Sequence, residues 1–357
     1  MKIPPVYIHS KLPKELITFL SKTPFDSYFV LCDSNTLQYC LPHLVLLKPL
    51  LNKVDVIEIE PGEESKNIDV LENILQTLAE NSAGKKSLFI NLGGGVVCDI
   101  GGFAASIYKR GIPFIHIPTS LLCMADAAVG GKNGINFLGV KNILGTIHQP
   151  LGVYVNTSYL QSLPEQHLRN GFAEILKMAL ILDKKFFSQI SHLKIQNGSI
   201  SPALIKKAIG LKTAVIKKDP LEKKLRKILN FGHSAGHAIE SLFMQNNLPL
   251  LHGQAVAIGM AIESYICLLL KRITQKEFDL IINSLKINYF FPSLHISESA
   301  DFFTFFNQDK KHKGKQYYMA LLNGIGKCDP EVKINRSHIE KALVYYNTIL
   351  VNAASIQ

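Results

Sequence analysis

The 357-residue sequence predicts an α/β domain with a mostly parallel sheet over residues 1–160, followed by an α-helical domain over 161–357. Three observations carry this expectation. The length suits two domains. Up to about residue 160, short apolar runs rich in strand formers alternate with helical stretches, the pattern of parallel strands joined by crossover helices. Beyond it, apolar residues recur with the helical period. No internal repeat, low-complexity tract or obvious linker interrupts the chain, so the two halves are expected to pack closely around a cleft.

The expected strands are Tyr28–Cys32, Val54–Ile59, Leu88–Leu92, Phe114–Pro118 and Val153–Val155, with a helix over Asn67–Asn81 between the second and third. The run Ser87–Leu92 ends in Gly93-Gly94-Gly95 and then turns helical, which reads as a strand, a tight turn and a helix start. Such glycines let backbone approach a pyrophosphate at a helix N-terminus, and they also occur in plain strand-to-helix connections. The pattern is not the dinucleotide fingerprint: the third glycine would have to stand at Cys98, and the acidic residue Asp99 follows at once rather than about 20 residues later.

In the second half, helices are expected over Glu165–Leu182, Pro202–Lys218, His233–Met244, Gln254–Arg272, Gln275–Leu285 and His338–Leu350, with a β-ribbon at Tyr317–Leu322. The most apolar stretch, Ala255–Leu270, is shorter than a bilayer span and carries Glu263, so it reads as a buried helix and no membrane partner is expected. Within Leu229–Glu240, His233 and His237 stand four residues apart on one helix face, and Leu251-His-Gly253 follows after a short loop. Two imidazoles so spaced can share a Zn²⁺ with a third ligand from a neighbouring element; they can equally be helical histidines satisfied by backbone carbonyls. A zinc protease is disfavoured, because Ser234 stands where the catalytic Glu would follow the first His.

Lys and Arg number 39 against 28 Asp and Glu, a net charge of +11 that favours small anionic ligands. The cations are scattered without interleaved aromatics, which argues against nucleic acid. The six cysteines form no Cys-x-x-Cys pair and the start Met1–Tyr7 lacks a signal-peptide apolar core, so a reduced, cytoplasmic protein is expected.

Asn91–Asp99, Gly101–Ile112, Pro118-Thr-Ser120, Asp126 with Val129–Asn136, Lys141-Asn142, Gly171–Lys177, Leu229–Glu240 and Leu251-His-Gly253 occur in order. As a set, spanning nearly the whole chain, they resemble the 3-dehydroquinate synthase family of sugar phosphate cyclases. The resemblance implies an N-terminal domain holding NAD⁺, a C-terminal domain holding Zn²⁺ (Co²⁺ in some members), a homodimer and a phosphorylated small-molecule substrate. The implied reaction turns 3-deoxy-D-arabino-heptulosonate 7-phosphate into 3-dehydroquinate and phosphate by transient oxidation at C5, phosphate elimination, re-reduction and intramolecular aldol closure.

By the same resemblance the metal ligands are Glu174, His233 and His252, and His237 is an acid/base group rather than a ligand. NAD⁺ contacts fall on Asp33, Asn35, Glu63, Lys66, Gly94, Gly95, Val96, Asp99, Thr119, Ser120, Asp126 and Lys141. Taken singly, Asp33-Ser-Asn35 is also an ordinary turn, and Glu63 with Lys66 a surface pair. Lys212 and Arg226 match the carboxylate-binding pair; Lys132, Asn142 and one of Lys310 or Lys311 match phosphate contacts, with Arg110 reaching across the dimer; Lys177 and Asn230 match groups on the ring hydroxyls. The chain departs from the family pattern at Gln254, Gln166 and Lys224, and Gln254 removes a carboxylate expected near the zinc. A metal-dependent polyol dehydrogenase or a cyclase of a substrate without a carboxylate would share the architecture, but neither needs Lys212 and Arg226.

Overall fold

The strands of the first unit form at short apolar runs, and the sheet explains why the central runs do not alternate. The computed structural model describes residues 3–44, 47, 54–138, 140–294, 299–307 and 316–351. The chain groups into two units, Met1–Pro164 with Ile200–Ile209, and Glu165–Ser199 with Gly210–Gln357.

The first unit runs β1 (Val6–His9), α1 (Lys14–Lys22), β2 (Tyr28–Asp33), α2 (Ser34–Tyr39), α3 (Leu41–Leu44), β3 (Val54–Ile59), α4 (Ile68–Glu80), β4 (Leu88–Gly93), α5 (Gly95–Ile107), β5 (Phe114–Pro118), β6 (Lys132–Phe137), β7 (Val140–Ile147) and β8 (Val153–Asn156). Six strands make one sheet in the order β1-β8-β5-β4-β2-β3, and every pairing is parallel. A parallel sheet is covered on both faces, so a central strand such as β4 is buried at all of its residues and its sequence is apolar without alternation. Phe29, Leu31, Phe89, Ile100, Ala104 and Phe114 are among the side chains that build the core between sheet and helices.

The chain passes from β2 to β3 on one side and then crosses β2 to begin β4 on the other. Such a reversal leaves a crevice at the carboxyl ends of the two strands, here Asp33 and Gly93. Helix α5 lies close over this region because glycines face its neighbours. A Cβ at Gly101 would fall 2.0 Å from Asn91 Oδ1, and one at Gly102 2.1 Å from Asn133 Oδ1.

Two elements of this unit lack a sequence signal. Strand β1 has four residues and pairs with β8, far away in sequence. The β6–β7 hairpin mixes polar residues, glycines and exposed apolar side chains without a regular alternation; it pairs through Gly134 opposite Gly145, where a Cβ on Gly134 would lie 2.5 Å from Leu144 O.

The second unit contains α6 (Glu165–Leu182), α7 (Lys184–Ile190), α8 (Pro202–Lys218), α9 (His233–Gln245), α10 (His252–Leu269), α11 (Gln275–Lys286), α12 (Ser299–Asn307), the antiparallel ribbon β9 (Tyr317–Leu322) and β10 (Cys328–Ile334), and α13 (Arg336–Tyr345). The first turns of α8 group with the first unit. Helix α10 is long and apolar enough to cross a membrane, yet 72% of it is buried inside the protein, as befits a core helix. It begins at His252, two residues before the expected start, and ends at Leu269, short of Arg272, where Lys271 turns to a left-handed φ of 54°. Helix α13 begins earlier than the sequence suggests because Asn335 N–H donates to His338 Nδ1 at 3.1 Å, closing the first turn.

Candidate active site

His233 and His252 are each the first residue of a helix, α9 and α10. The two helices run side by side at short range. A Cβ at Gly259 would sit 2.0 Å from Gly232 O, and one at Gly236 3.0 Å from Ala255 O. Helix α6 meets the start of α10 through Asn170, whose Oδ1 accepts from Gly253 N–H at 2.5 Å. Glu174, one turn further along α6 and fully buried, thereby faces both imidazoles.

Glu174 Oε1 lies 3.4 Å from His233 Nε2 and 3.5 Å from His252 Nε2. Ligands about 2.0–2.2 Å from a tetrahedral zinc stand roughly 3.3–3.6 Å apart, so these separations are the edges of such a tetrahedron. Neither carboxylate oxygen completes a hydrogen bond of good geometry, although Oε2 is in contact with Lys177 Nζ. Burying a carboxylate is costly; Lys177 offsets that cost at Oε2, and a cation between the three groups would offset it at Oε1. The donor set therefore fits a divalent metal.

The electrostatics of Glu174 and His233 agree with that reading, while His252 would give up a proton on binding the metal. Burial by itself would raise the Glu174 carboxyl, but the Lys177 ammonium and His252 outweigh it and hold it at about 2. Burial, with the charges of Lys177, His237 and His252, keeps His233 well below its ordinary value and therefore neutral, as a ligand must be. Burial would also lower His252, yet bonds to Glu174 and Glu240 lift it to about 9 in the metal-free chain. Glu240 Oε2 stands 3.5 Å from His252 Nδ1, so a carboxylate backs this imidazole from α9 even though residue 254 is Gln.

His237 is exposed one turn after His233, its ring centroid 5.1 Å from His233 and 5.9 Å from His252. It forms a second cation-sized set with Glu240 and His252. The first set is the stronger candidate, because its carboxylate is fully buried between two imidazoles whereas the second depends on an exposed imidazole.

Further expected substrate residues precede α9 in the chain. Arg226 and Lys212 are both nearly fully buried. Asp219 accepts from the N–H groups of Lys223, Lys224 and Arg226 at 2.9, 2.7 and 3.0 Å, which folds the loop and sets the Arg226 backbone. Arg226 Nη1 donates to Pro220 O at 2.9 Å, and its Nε stands 4.0 Å from Glu222 Oε2. Asn230 Nδ2 donates to Glu222 Oε1 at 3.1 Å. Glu222 thus couples two expected substrate residues and escaped the sequence reading. Its spacing of four and eight residues from Arg226 and Asn230 was visible, but the stretch carries no helical pattern to give that spacing meaning.

In the first unit, Lys66 is buried and pairs with Asp99 Oδ2 at 2.5 Å, not with Glu63 as a surface pair would. Lys66 Nζ also donates to Asn142 Oδ1 at 2.5 Å, Asn142 N–H to Asn136 Oδ1 at 2.9 Å, and Asn136 Nδ2 to Glu63 Oε1 at 2.8 Å. One network therefore joins three expected NAD⁺ contacts to Asn142, expected on phosphate, through Asn136, which the sequence reading did not single out. Gly94 is the N-cap of α5 and no side chain caps that helix. Ser120 adjoins it: a Cβ on Gly94 would lie 3.4 Å from Ser120 Oγ, and one on Gly95 3.8 Å from the Ala127 methyl. Val96 is the second residue of α5, Thr119 donates its N–H to Gly93 O at 3.0 Å, and Asp126 lies on the turn Cys123–Ala127.

Asp33 caps α2 by accepting from Thr36 N–H at 2.8 Å, and Asn35 is exposed beside it. Lys132, Lys141 and Arg110 are exposed, Arg110 with a left-handed φ of 65° after Lys109 at 49°. Lys310 and Lys311 lie outside the described residues.

The chain is similar to known proteins over most of its length. Residues 56–170 match the family model for the 3-dehydroquinate synthase N-terminal region, and 171–312 the model for its C-terminal region. A 3-dehydroquinate synthase of Parabacteroides distasonis is 35% identical over 346 residues, 96% of this chain and 97% of that protein. One from Campylobacter fetus subsp. fetus is 42% identical over 287 residues, 78% of this chain and 82% of its own. Among solved structures, the 2-epi-5-epi-valiolone synthase ValA of Streptomyces hygroscopicus subsp. jinggangensis 5008, with NAD⁺ and Zn²⁺ bound, superposes with a TM-score of 0.81 at 26% identity, covering 97% of each chain.

Proposed function

Because the chain belongs to the 3-dehydroquinate synthase family, we propose that each residue cluster serves one part of that reaction. The activity is the family's: a carbon–oxygen lyase of the shikimate pathway that converts 3-deoxy-D-arabino-heptulosonate 7-phosphate into 3-dehydroquinate and phosphate, with NAD⁺ and a divalent zinc or cobalt ion as cofactors. The single observation that carries the assignment of roles is the buried Glu174 carboxylate, whose Oε1 stands at tetrahedral-edge distance from two imidazoles while Lys177 contacts Oε2.

Glu174, His233 and His252 would hold the metal in the C-terminal domain. When bound, the metal supplies a Lewis acid for substrate oxygens and NAD⁺ a reversible hydride acceptor. His237, exposed beside the ligands, takes and returns a proton at the reacting hydroxyl, a task suited to imidazole. Lys177 and Asn230 orient ring hydroxyls, with Glu222 holding the Asn230 amide in place. Lys212 and Arg226 bind the carboxylate: the guanidinium fork matches two carboxylate oxygens, and burial strengthens the contact. Lys132, Asn142 and Lys310 or Lys311 take the phosphate.

In the N-terminal domain, the uncapped start of α5 at Gly94 and Gly95 suits a pyrophosphate, and the Lys66–Asp99 pair with Glu63 and Asn136 gives an ordered wall beside it. Asp33, Asn35, Val96, Thr119, Ser120, Asp126 and Lys141 complete the NAD⁺ contacts. A homodimer is favoured by the apolar surface of the β6–β7 hairpin, where Phe137, Leu138, Val140, Ile143 and Ile147 are exposed. Arg110 would then serve the partner subunit's phosphate site. A cytoplasmic location accords with the free cysteines. The test is release of phosphate and dehydroquinate by purified protein with and without added NAD⁺ and Zn²⁺. Steady accumulation of free NADH in proportion to product would point instead to a dehydrogenase.

A further inference from the structure

Glu263 is the one acidic residue of α10, and it is fully buried. Among apolar neighbours a leucine of similar volume would be cheaper, so the carboxylate must satisfy something. It does so across the helix pair. Gly232 N–H donates to its Oε2 at 2.6 Å, and Ala235 N–H to its Oε1 at 3.0 Å. These donors are the N-cap and the third residue of α9, and they bracket His233.

A helix start ordinarily bonds its third N–H to a Ser, Thr, Asp or Asn at the N-cap. Helix α9 cannot. Its N-cap is Gly232 at φ +80°, and a Cβ there would fall 2.6 Å from Met260 Cγ and 3.1 Å from Val256 O. The close approach of α10 excludes a capping side chain from α9 itself, and α10 supplies one in its place. The bracing is reciprocal, since Glu240 of α9 reaches His252 Nδ1 at the start of α10.

We propose that Glu263 is a positioning residue of the metal site. By gripping the N–H groups on either side of His233, it fixes the first turn of α9 so that His233 Nε2 meets Glu174 while Nδ1 faces Phe231 O, 3.3 Å away. The inference rests on the reading that Glu174, His233 and His252 hold the metal.

Glu263→Gln keeps the shape but offers one acceptor oxygen and turns an amide N–H₂ toward a backbone donor. Zinc affinity of the purified protein, measured by competition with a chelator, should fall roughly 10- to 100-fold, and the visible absorption of the Co²⁺-loaded variant should shift from that of the parent. NAD⁺ affinity should not change. A lowered melting temperature with unchanged zinc affinity and cobalt spectrum would overturn the proposal, leaving Glu263 as a cap for the fold alone. His233→Ala serves as the control for the underlying reading: if it binds zinc as the parent does, the metal set itself is wrong whatever Glu263 does. Should Glu263→Gln not fold, amide exchange in the unmodified protein decides. Removal of zinc should speed exchange in the segment holding Gly232 and Ala235, and an unchanged rate there would sink the proposal.

Discussion

Two helices of this chain begin at glycine N-caps, α5 at Gly94 and α9 at Gly232, and they meet opposite fates. At α5 no side chain caps the first turn, so its N–H groups and the positive end of the helix remain available to an anion. At α9 the carboxylate of Glu263 occupies that position already, and the helix start presents imidazoles instead. A glycine before a helix therefore carries no fixed meaning. The neighbouring element decides whether the terminus binds a ligand or is locked to hold one.

The largest effect expected from this contrast is at Glu174. Glu174→Ala removes a metal ligand and leaves Lys177 buried without its partner, so zinc content after dialysis should fall to near zero and turnover should drop by more than the roughly 10- to 100-fold typical of outer-shell changes. NAD⁺ binding at α5 should survive, as measured by calorimetry; its loss would mean that the two termini are not independent sites.

His237→Asn should lower kcat by roughly 10²- to 10⁴-fold while zinc stoichiometry stays near one. Loss of zinc in this variant would transfer the metal to the set of His237, Glu240 and His252.

Arg226→Ala asks whether carboxylate recognition stands apart from both helix termini. A lost charge-assisted bond should cost about 2 to 4 kcal/mol in kcat/KM, with metal and NAD⁺ affinity intact. An equal loss for a phosphate-bearing analogue without the carboxylate would show that Arg226 serves the loop or the phosphate instead.

The smallest effect expected makes α5 resemble α9. Gly94→Asp gives α5 its own carboxylate cap and should weaken NAD⁺ binding by at least about tenfold through like-charge repulsion, while raising helix stability slightly. Unchanged NAD⁺ affinity would place the pyrophosphate elsewhere.

Much of the architecture was legible without coordinates. Strands β2, β4, β5 and β8 are read correctly because sheet burial on two faces demands unbroken apolar runs, while the edge strand β3, partly exposed, is read from its strand formers. Helices α6 and α8 fall at their expected bounds because amphipathic periodicity is local. The ordered motifs named the family, and the histidines at 233, 237 and 252 stood out by residue type and spacing.

Other features were decided between segments far apart in the chain. Strand β1 exists because β8, late in the unit, offers its edge. Lys66 is buried against Asp99 and Asn142 rather than paired with Glu63 because α5 and the hairpin come down on it. Glu263 was legible as a mark against a membrane span, but its task was not. A sequence determines which residues prefer to be buried and which local periods they follow, since those are properties of side chains and short backbone stretches. Which buried carboxylate caps a helix, and which faces two imidazoles, depends on distances set when helices pack, and here on glycines that let α9 and α10 come close enough for one helix to cap the other.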